Sequence, residues 1–145
     1  MEEGVMVYPS EFMENIFITV VYENNVHYPE LKKLFDQYGY GFLFPEMKTI
    51  IVDGEMFGDG KLSDDDLKFV EAHEIAHVKF GHNGPRSEKE ELEADLGAYV
   101  MLKTKGYEKS VSRLLEEFEF RHGIEFDEKL LDMIPVSYTH LRAHE

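Results

Sequence analysis

Apolar and β-branched residues cluster in short runs over the first third of the chain. Residues 15–22 are rich in Ile, Phe, Thr and Val, a composition that favours a strand. After Pro29, apolar positions recur at helical spacing as far as residue 38. Residues 42–44 and 48–52 form two further β-like runs. The pattern predicts a small sheet with one short amphipathic helix inserted between its strands.

The remainder of the chain is predicted to be mostly helical, and its helices carry their own start and stop signals. Ser63 and Ser87 are each followed three residues later by an acidic residue, which is the pattern of a capping box. Gly81 and Gly106 follow the last periodic positions and can supply the left-handed residue that ends a helix. The predicted helices cover 64–80, 88–105 and 108–121, with a last helical turn at 128–134.

The length and the order of these elements predict an α+β fold in one domain. A chain of 145 residues fits a single hydrophobic core. We expect that domain to occupy residues 1–134, with a short mixed or antiparallel sheet packed on one helix and two or three further helices. Residues 135–145 continue neither a helical nor a strand period, so we expect a non-native or disordered tail.

Charge and cysteine content narrow the chemistry. Thirty acidic residues against fifteen basic ones give a formal net charge of -15, which repels nucleic acid and anionic lipid. We therefore expect no direct nucleic-acid partner and no membrane partner. The acidic start and the lack of a long apolar run lead us to expect a cytoplasmic location. Without any cysteine, only His, Asp and Glu remain as strong metal ligands.

Residues 73–77 read His-Glu-Ile-Ala-His, near the end of the predicted helix that starts after Ser63. Because residues four apart lie on one helix face, His73 and His77 can direct their imidazoles at one metal ion. Glu74 is rotated by about 100° from His73, so its carboxylate can lie beside the metal and reach a water molecule. The motif thus predicts two ligands and a catalytic general base.

A third ligand is expected from the following helix, in the acidic run 91–95. Glu91, Glu93 and Asp95 are the candidates, and Glu91 and Asp95 share a helix face. Two imidazoles, one carboxylate and an open fourth position make the ligand set of a catalytic zinc site. His82 is a competing ligand, but we expect it instead to cap the end of the preceding helix.

Peptide hydrolysis also needs a donor for the negative charge that develops on the carbonyl oxygen. The sequence offers four side chains for this task and does not rank them: Tyr40, Tyr99, Tyr107 and His122.

The two motifs, His-Glu-Ile-Ala-His and Glu-Leu-Glu-Ala-Asp, together resemble the pattern of gluzincin metallopeptidases. The run from His73 to His82 and the short chain are most similar to the ImmA/IrrE-type, or minigluzincin, family, over roughly residues 48–105. The resemblance implies a zincin-like domain with Zn²⁺ as cofactor. It also implies that Glu91 is the third ligand, that Asp95 supports the ligand shell, and that strand 48–52 is the edge that receives substrate.

The function implied by this resemblance is that of a hydrolase, a zinc-dependent metallopeptidase of narrow specificity. Its substrate would be a protein or peptide, such as a repressor-like regulator. The alternative is a non-catalytic zinc-bearing module for protein interaction. Glu74 favours the enzyme, because a purely structural metal site has no use for a base at that position.

Overall fold

Four strands form one mixed sheet. The computed structural model describes residues 2–56, 62–83 and 86–135. The strands are β1 (Val5–Pro9), β2 (Phe17–Val21), β3 (Gly41–Phe44) and β4 (Thr49–Asp53), in the spatial order β1-β2-β4-β3. β1 and β3 pair antiparallel with their neighbours, whereas β2 and β4 run parallel. A parallel pair needs a crossover connection, and this one contains helix α1 (Tyr28–Tyr38).

Three longer helices follow the sheet in the chain: α2 (Asp64–Lys79), α3 (Glu88–Lys105) and α4 (Glu108–His122). Both predicted capping boxes form, because the side chains of Ser63 and Ser87 each accept a hydrogen bond from the backbone N–H three residues on. Two short 3-10 helices cover Pro45–Met47 and Glu128–Met133. Within the described residues, no helix has the length and apolar character needed to cross a bilayer.

The hydrophobic core lies between the sheet and helices α2, α3 and α4. Its fully buried members include Ile18, Val20, Ile50 and Val52 from the sheet, and Phe69, Ile75, Leu96, Leu102 and Phe118 from the helices. α2 and α3 pack closely where Gly97 faces α2, since a Cβ atom there would lie 3.0 Å from the Cβ of Ala76. This close contact brings the acidic run of α3 beside the histidines of α2.

The α+β prediction is confirmed: a four-stranded mixed sheet is combined with helices. The predicted helices and three strands are present, with bounds that differ by a few residues. β1 was not predicted, and the predicted edge position of strand 48–52 is wrong. β4 lies between β2 and β3, and β3 is the edge strand on that side. The predicted tail, residues 135–145, lies outside the described part of the chain except for Pro135.

Candidate metal centre

Helix α2 supplies two histidines and a glutamate from one buried stretch. The capping box at Ser63 and three acidic residues in the first turn fix where the helix begins. More than two turns later, His73 and His77 are each only 1% exposed and Glu74 is 3% exposed. Burial of three ionisable side chains within five residues is unfavourable unless they have polar partners. The partners of these three side chains come from α3 and from the chain between α2 and α3.

Three ligand atoms converge at the contact between α2 and α3. The Nε2 atom of His73 lies 3.1 Å from Nε2 of His77 and 2.8 Å from Oε2 of Glu91. The Nε2 atom of His77 lies 3.2 Å from the same Glu91 oxygen. The side chain of Glu91 is 28% exposed, so the cluster is reached from solvent on that side. His73, His77 and Glu91 therefore form a possible metal-binding triad.

The size of this triangle matches a tetrahedral metal site. Ligands at the usual Zn–N and Zn–O distances of about 2.0–2.1 Å stand about 3.3–3.4 Å from one another at tetrahedral angles. The three observed separations, 2.8, 3.1 and 3.2 Å, are slightly shorter than that edge. Two imidazole nitrogens and one carboxylate oxygen also suit zinc chemically. The residues present thus fit a zinc ion without a change of fold.

Asp95 holds the outer side of His73. Its Oδ1 atom lies 2.7 Å from Nδ1 of His73, and its Oδ2 atom lies 2.5 Å from Nε2 of His122. Arg121 also donates to Asp95, at 3.2 Å. Burial disfavours the protonated form of His73 and lowers its pKa. The carboxylates of Asp95 and Glu91 have the larger opposite effect, and together these effects raise the pKa of His73 to about 9. Asp95 thus contacts the His73 ring nitrogen that faces away from Glu91, the contact that its expected supporting role requires.

A different set of groups holds the outer side of His77. Its Nδ1 atom lies 2.8 Å from Nδ1 of His82, and Nε2 of His82 lies 2.9 Å from Oε1 of Glu93. Burial lowers the pKa of His77 to about 3, although Glu91 opposes the shift. The side chain of His82 therefore does not cap the helix as predicted. Glu93, the rival third ligand, contacts His82 and lies outside the triad.

Glu74 lies beside the triad and not within it. Its Oε2 atom is 4.0 Å from Nε2 of His73, and its Oε1 atom is 3.5 Å from Nη2 of Arg86. Burial raises the pKa of the Glu74 carboxyl, while His73 and Arg86 counteract part of that shift. The edge strand approaches closely here, since a Cβ atom on Gly41 would lie 2.6 Å from Cδ of Glu74.

The four candidate donors have separate environments. Tyr99 donates to Glu128 at 3.3 Å and Tyr107 donates to Glu11, so both hydroxyls are engaged away from the triad. His122 contacts Asp95. The ring of Tyr40 packs 5.7 Å from the ring of His73, and burial raises the pKa of its hydroxyl well above the usual range. Tyr40 is therefore the candidate tyrosine that contacts the site.

Sequence reasoning missed two arginines, Arg86 and Arg121, that contact the cluster. Arg121 reaches Asp95 from the last turn of α4, and Arg86 reaches Glu74 from the chain just before α3. Position in the chain gave one weak signal, since Arg86 stands one residue before the cap Ser87. No sequence signal indicated Arg121, because only the packing of α4 brings it to the site.

Two open cavities flank the triad. One, of about 660 Å³, is lined by Tyr38, Arg86, Glu91 and Arg121 among others. The second, of about 400 Å³, lies along β3 and reaches His77 and His82.

Comparison of the chain with protein-family models, curated proteins and solved structures finds no match.

Proposed function

We propose that this chain is a zincin-like, zinc-dependent peptidase. The observation that carries the proposal is the convergence of His73, His77 and Glu91 with a buried Glu74 carboxylate directly beside them. A structural zinc site closes its fourth position with another protein ligand. Among the described residues, only His73, His77 and Glu91 converge, and Glu74 lies beside them; three protein ligands with a neighbouring base are what a catalytic site would need. The resemblance of the two motifs to ImmA/IrrE-type metallopeptidases supports the same reaction.

His73, His77 and Glu91 would hold the zinc ion, which when bound lowers the pKa of a water molecule and polarises a carbonyl group. Glu74 would accept the proton of the attacking water and deliver it to the leaving amine. Its raised pKa suits this task, because a carboxyl that titrates closer to neutral pH both accepts and returns a proton more readily. Tyr40 would donate to the developing oxyanion from beside His73.

The substrate would be an extended peptide segment of a regulatory protein. β3 lies at the edge of the sheet and carries Gly41 against Glu74, so an added strand there would pass the base. The cavity along β3 has an apolar wall that includes Phe42 and Phe44 and suits a hydrophobic side chain of the substrate. Narrow specificity for a repressor-like partner follows from the family resemblance, and remains part of the proposal.

The experiment compares Glu74→Gln with Glu91→Gln at one fixed concentration of free zinc. Glu74→Gln keeps the size of the side chain but removes the proton acceptor, so we expect wild-type zinc content and a loss of cleavage of ~10²-fold or more. Glu91→Gln removes a charged ligand, so we expect weaker zinc binding. Glu116→Gln, on an exposed side chain of α4, is the matched control. Cleavage is read by mass spectrometry on a proteome-derived peptide mixture.

Three results would contradict the proposal in different ways. Loss of zinc from Glu74→Gln with retention in Glu91→Gln would mean that the two roles are exchanged. Failure of the wild-type protein to take up zinc would remove the metal centre altogether. Zinc binding without cleavage of any peptide by the wild type would favour the non-catalytic interaction module instead.

A further inference from the structure

The end of α2 returns the chain to His77. Gly81 adopts a left-handed conformation with φ of 72°, and its N–H donates to the carbonyl of Val78 at 3.1 Å. The N–H of His82 donates to the carbonyl of His77 at 3.0 Å. This pair of hydrogen bonds closes a helix that ends on glycine. As a consequence, His82 lies over the last turn of α2, with its side chain next to His77.

Three side chains then form a continuous hydrogen-bond chain from α3 to the triad. Oε1 of Glu93 lies 2.9 Å from Nε2 of His82, and Nδ1 of His82 lies 2.8 Å from Nδ1 of His77. Nε2 of His77 faces Glu91 and His73. The chain is shielded from solvent, because the side chains of His82 and Glu93 are only 7% and 10% exposed. Buried polar groups of this kind need defined partners.

The direction of the hydrogen bonds follows from the chemistry of the groups. An ionised carboxylate only accepts, so Glu93 requires a proton on Nε2 of His82. When His82 carries that proton alone, its Nδ1 atom has a lone pair and accepts from Nδ1–H of His77. His77 must then carry its proton on Nδ1. Its Nε2 atom is left with a lone pair, and that is the atom aimed at the triad.

We propose that His82 and Glu93 are positioning residues that select the tautomer and orientation of His77 for metal binding. The inference rests on the proposed zinc-binding function and adds to it the way in which the second histidine is prepared. His73 is prepared by a carboxylate in direct contact, Asp95, whereas His77 is prepared by a carboxylate acting through an intervening imidazole. Partners in this outer position of a metal site characteristically change metal affinity without touching the ion.

The test measures the zinc dissociation constant of the full chain by competition with a chelator. We expect His82→Phe, which removes the acceptor for His77, to weaken zinc binding by ~10–100-fold. His82→Gln keeps an oxygen that can accept from Nδ1 of His77, so it should restore part of the affinity. Glu116→Gln on α4 and His27→Phe at the start of α1 are the controls, since both side chains are exposed and outside the site.

Coupling between the two residues is a second expectation. If Glu93 acts through His82, then Glu93→Ala should weaken zinc binding by itself but add nothing to His82→Phe in the double variant. Independent effects that add would mean that the two residues do not form one chain and would contradict the proposal.

A direct readout of the tautomer distinguishes positioning from general packing. In the zinc-loaded wild type, nitrogen NMR should show a proton on Nδ1 of His77 that exchanges slowly with water. His82→Phe should accelerate that exchange, while the Nδ1 proton of His73, held by Asp95, should remain unchanged. Faster exchange of both protons would indicate a general loss of packing and would overturn the assignment.

The outcomes separate this inference from the proposed function. A wild-type protein that takes up no zinc contradicts both. A wild type that binds zinc, with His82→Phe and Glu93→Ala within about twofold of it and His77 exchange unaltered, contradicts only the positioning role. If His82→Phe does not fold, His82→Gln and Glu93→Ala decide the matter by the same two measurements.

Discussion

A buried carboxyl on α2 gives the protein a specific pH dependence of stability that one substitution should remove. Oε2 of Glu71 accepts hydrogen bonds from the hydroxyl of Ser10 and the N–H of Glu11, both at 2.8 Å. Its other oxygen is buried without a hydrogen-bond partner among the described residues. Burial raises the pKa of Glu71 from 4.5 to about 7, although Ser10, Lys68 and Lys105 counteract part of the shift.

The direction in which stability changes with pH follows from the number of protons bound by the folded and the unfolded chain. Between these two pKa values the folded chain keeps a proton that the unfolded chain releases, so stability is fully present below about pH 4.5 and falls as the pH rises through about 7. When the difference in bound protons is integrated from about pH 5 to about pH 8, the free energy of unfolding decreases by about 2–3 kcal/mol. Glu71→Gln cannot titrate and should therefore lack this loss.

The assay is urea unfolding of wild type and Glu71→Gln at both pH values with chelator present. The amide nitrogen of the variant adds a cost of its own, about 1–3 kcal/mol if it lacks a partner, but this cost does not depend on pH. We therefore expect the stability difference between the proteins to change by about 2–3 kcal/mol in favour of the variant as the pH rises. Glu116→Gln should show a constant difference. A constant difference for Glu71→Gln as well would refute the raised pKa and the burial argument behind it.

Three further predictions concern the metal centre and the ends of elements. Zinc uptake near neutral pH should release about one proton from His73, because its pKa of about 9 keeps it protonated beforehand, and calorimetry in buffers of different ionisation enthalpy measures this. Gly81→Ala should cost about 1 kcal/mol, seen as a lower thermal midpoint, because its φ of 72° strains any side chain although space is open. Truncation after Ile134 should leave the thermal midpoint and zinc content unchanged, because the tail sequence has no periodic apolar face; a large decrease would make it a structural element.

Local signals were sufficient to predict the helices that form the candidate site. Ser63 and Ser87 mark where α2 and α3 begin, and the spacing of His73 and His77 places two imidazoles on one face. These features depend on residues a few positions apart, so they can be read from the chain without knowledge of its packing. Local spacing left Glu91, Glu93 and Asp95 as candidates for the third ligand, and only the family resemblance singled out Glu91.

Features that depend on distant contacts could not be obtained in this way. β1 reads Val-Met-Val-Tyr-Pro without alternation of polar and apolar residues, and it is a strand because it pairs with β2. The apolar sequence of β4 is compatible with either an edge strand or a central strand. β4 is central because β3 pairs with its outer side. The contact of His82 with Glu93 requires the register between two helices, which spacing within either helix does not specify.

The contact of Gly41 with Glu74 restricts which sequences this site can tolerate. Any side chain at position 41 would begin 2.6–2.8 Å from three atoms of Glu74, which is itself buried, so either Glu74 or the strand would have to shift. Substitution there would displace the carboxylate or the edge strand. A survey of tolerated variants should therefore find position 41 as invariant as His73, although glycine has no functional group. Natural variation at the candidate site would then be restricted by the lack of space for a Cβ atom at position 41, as well as by the chemistry of the candidate ligands.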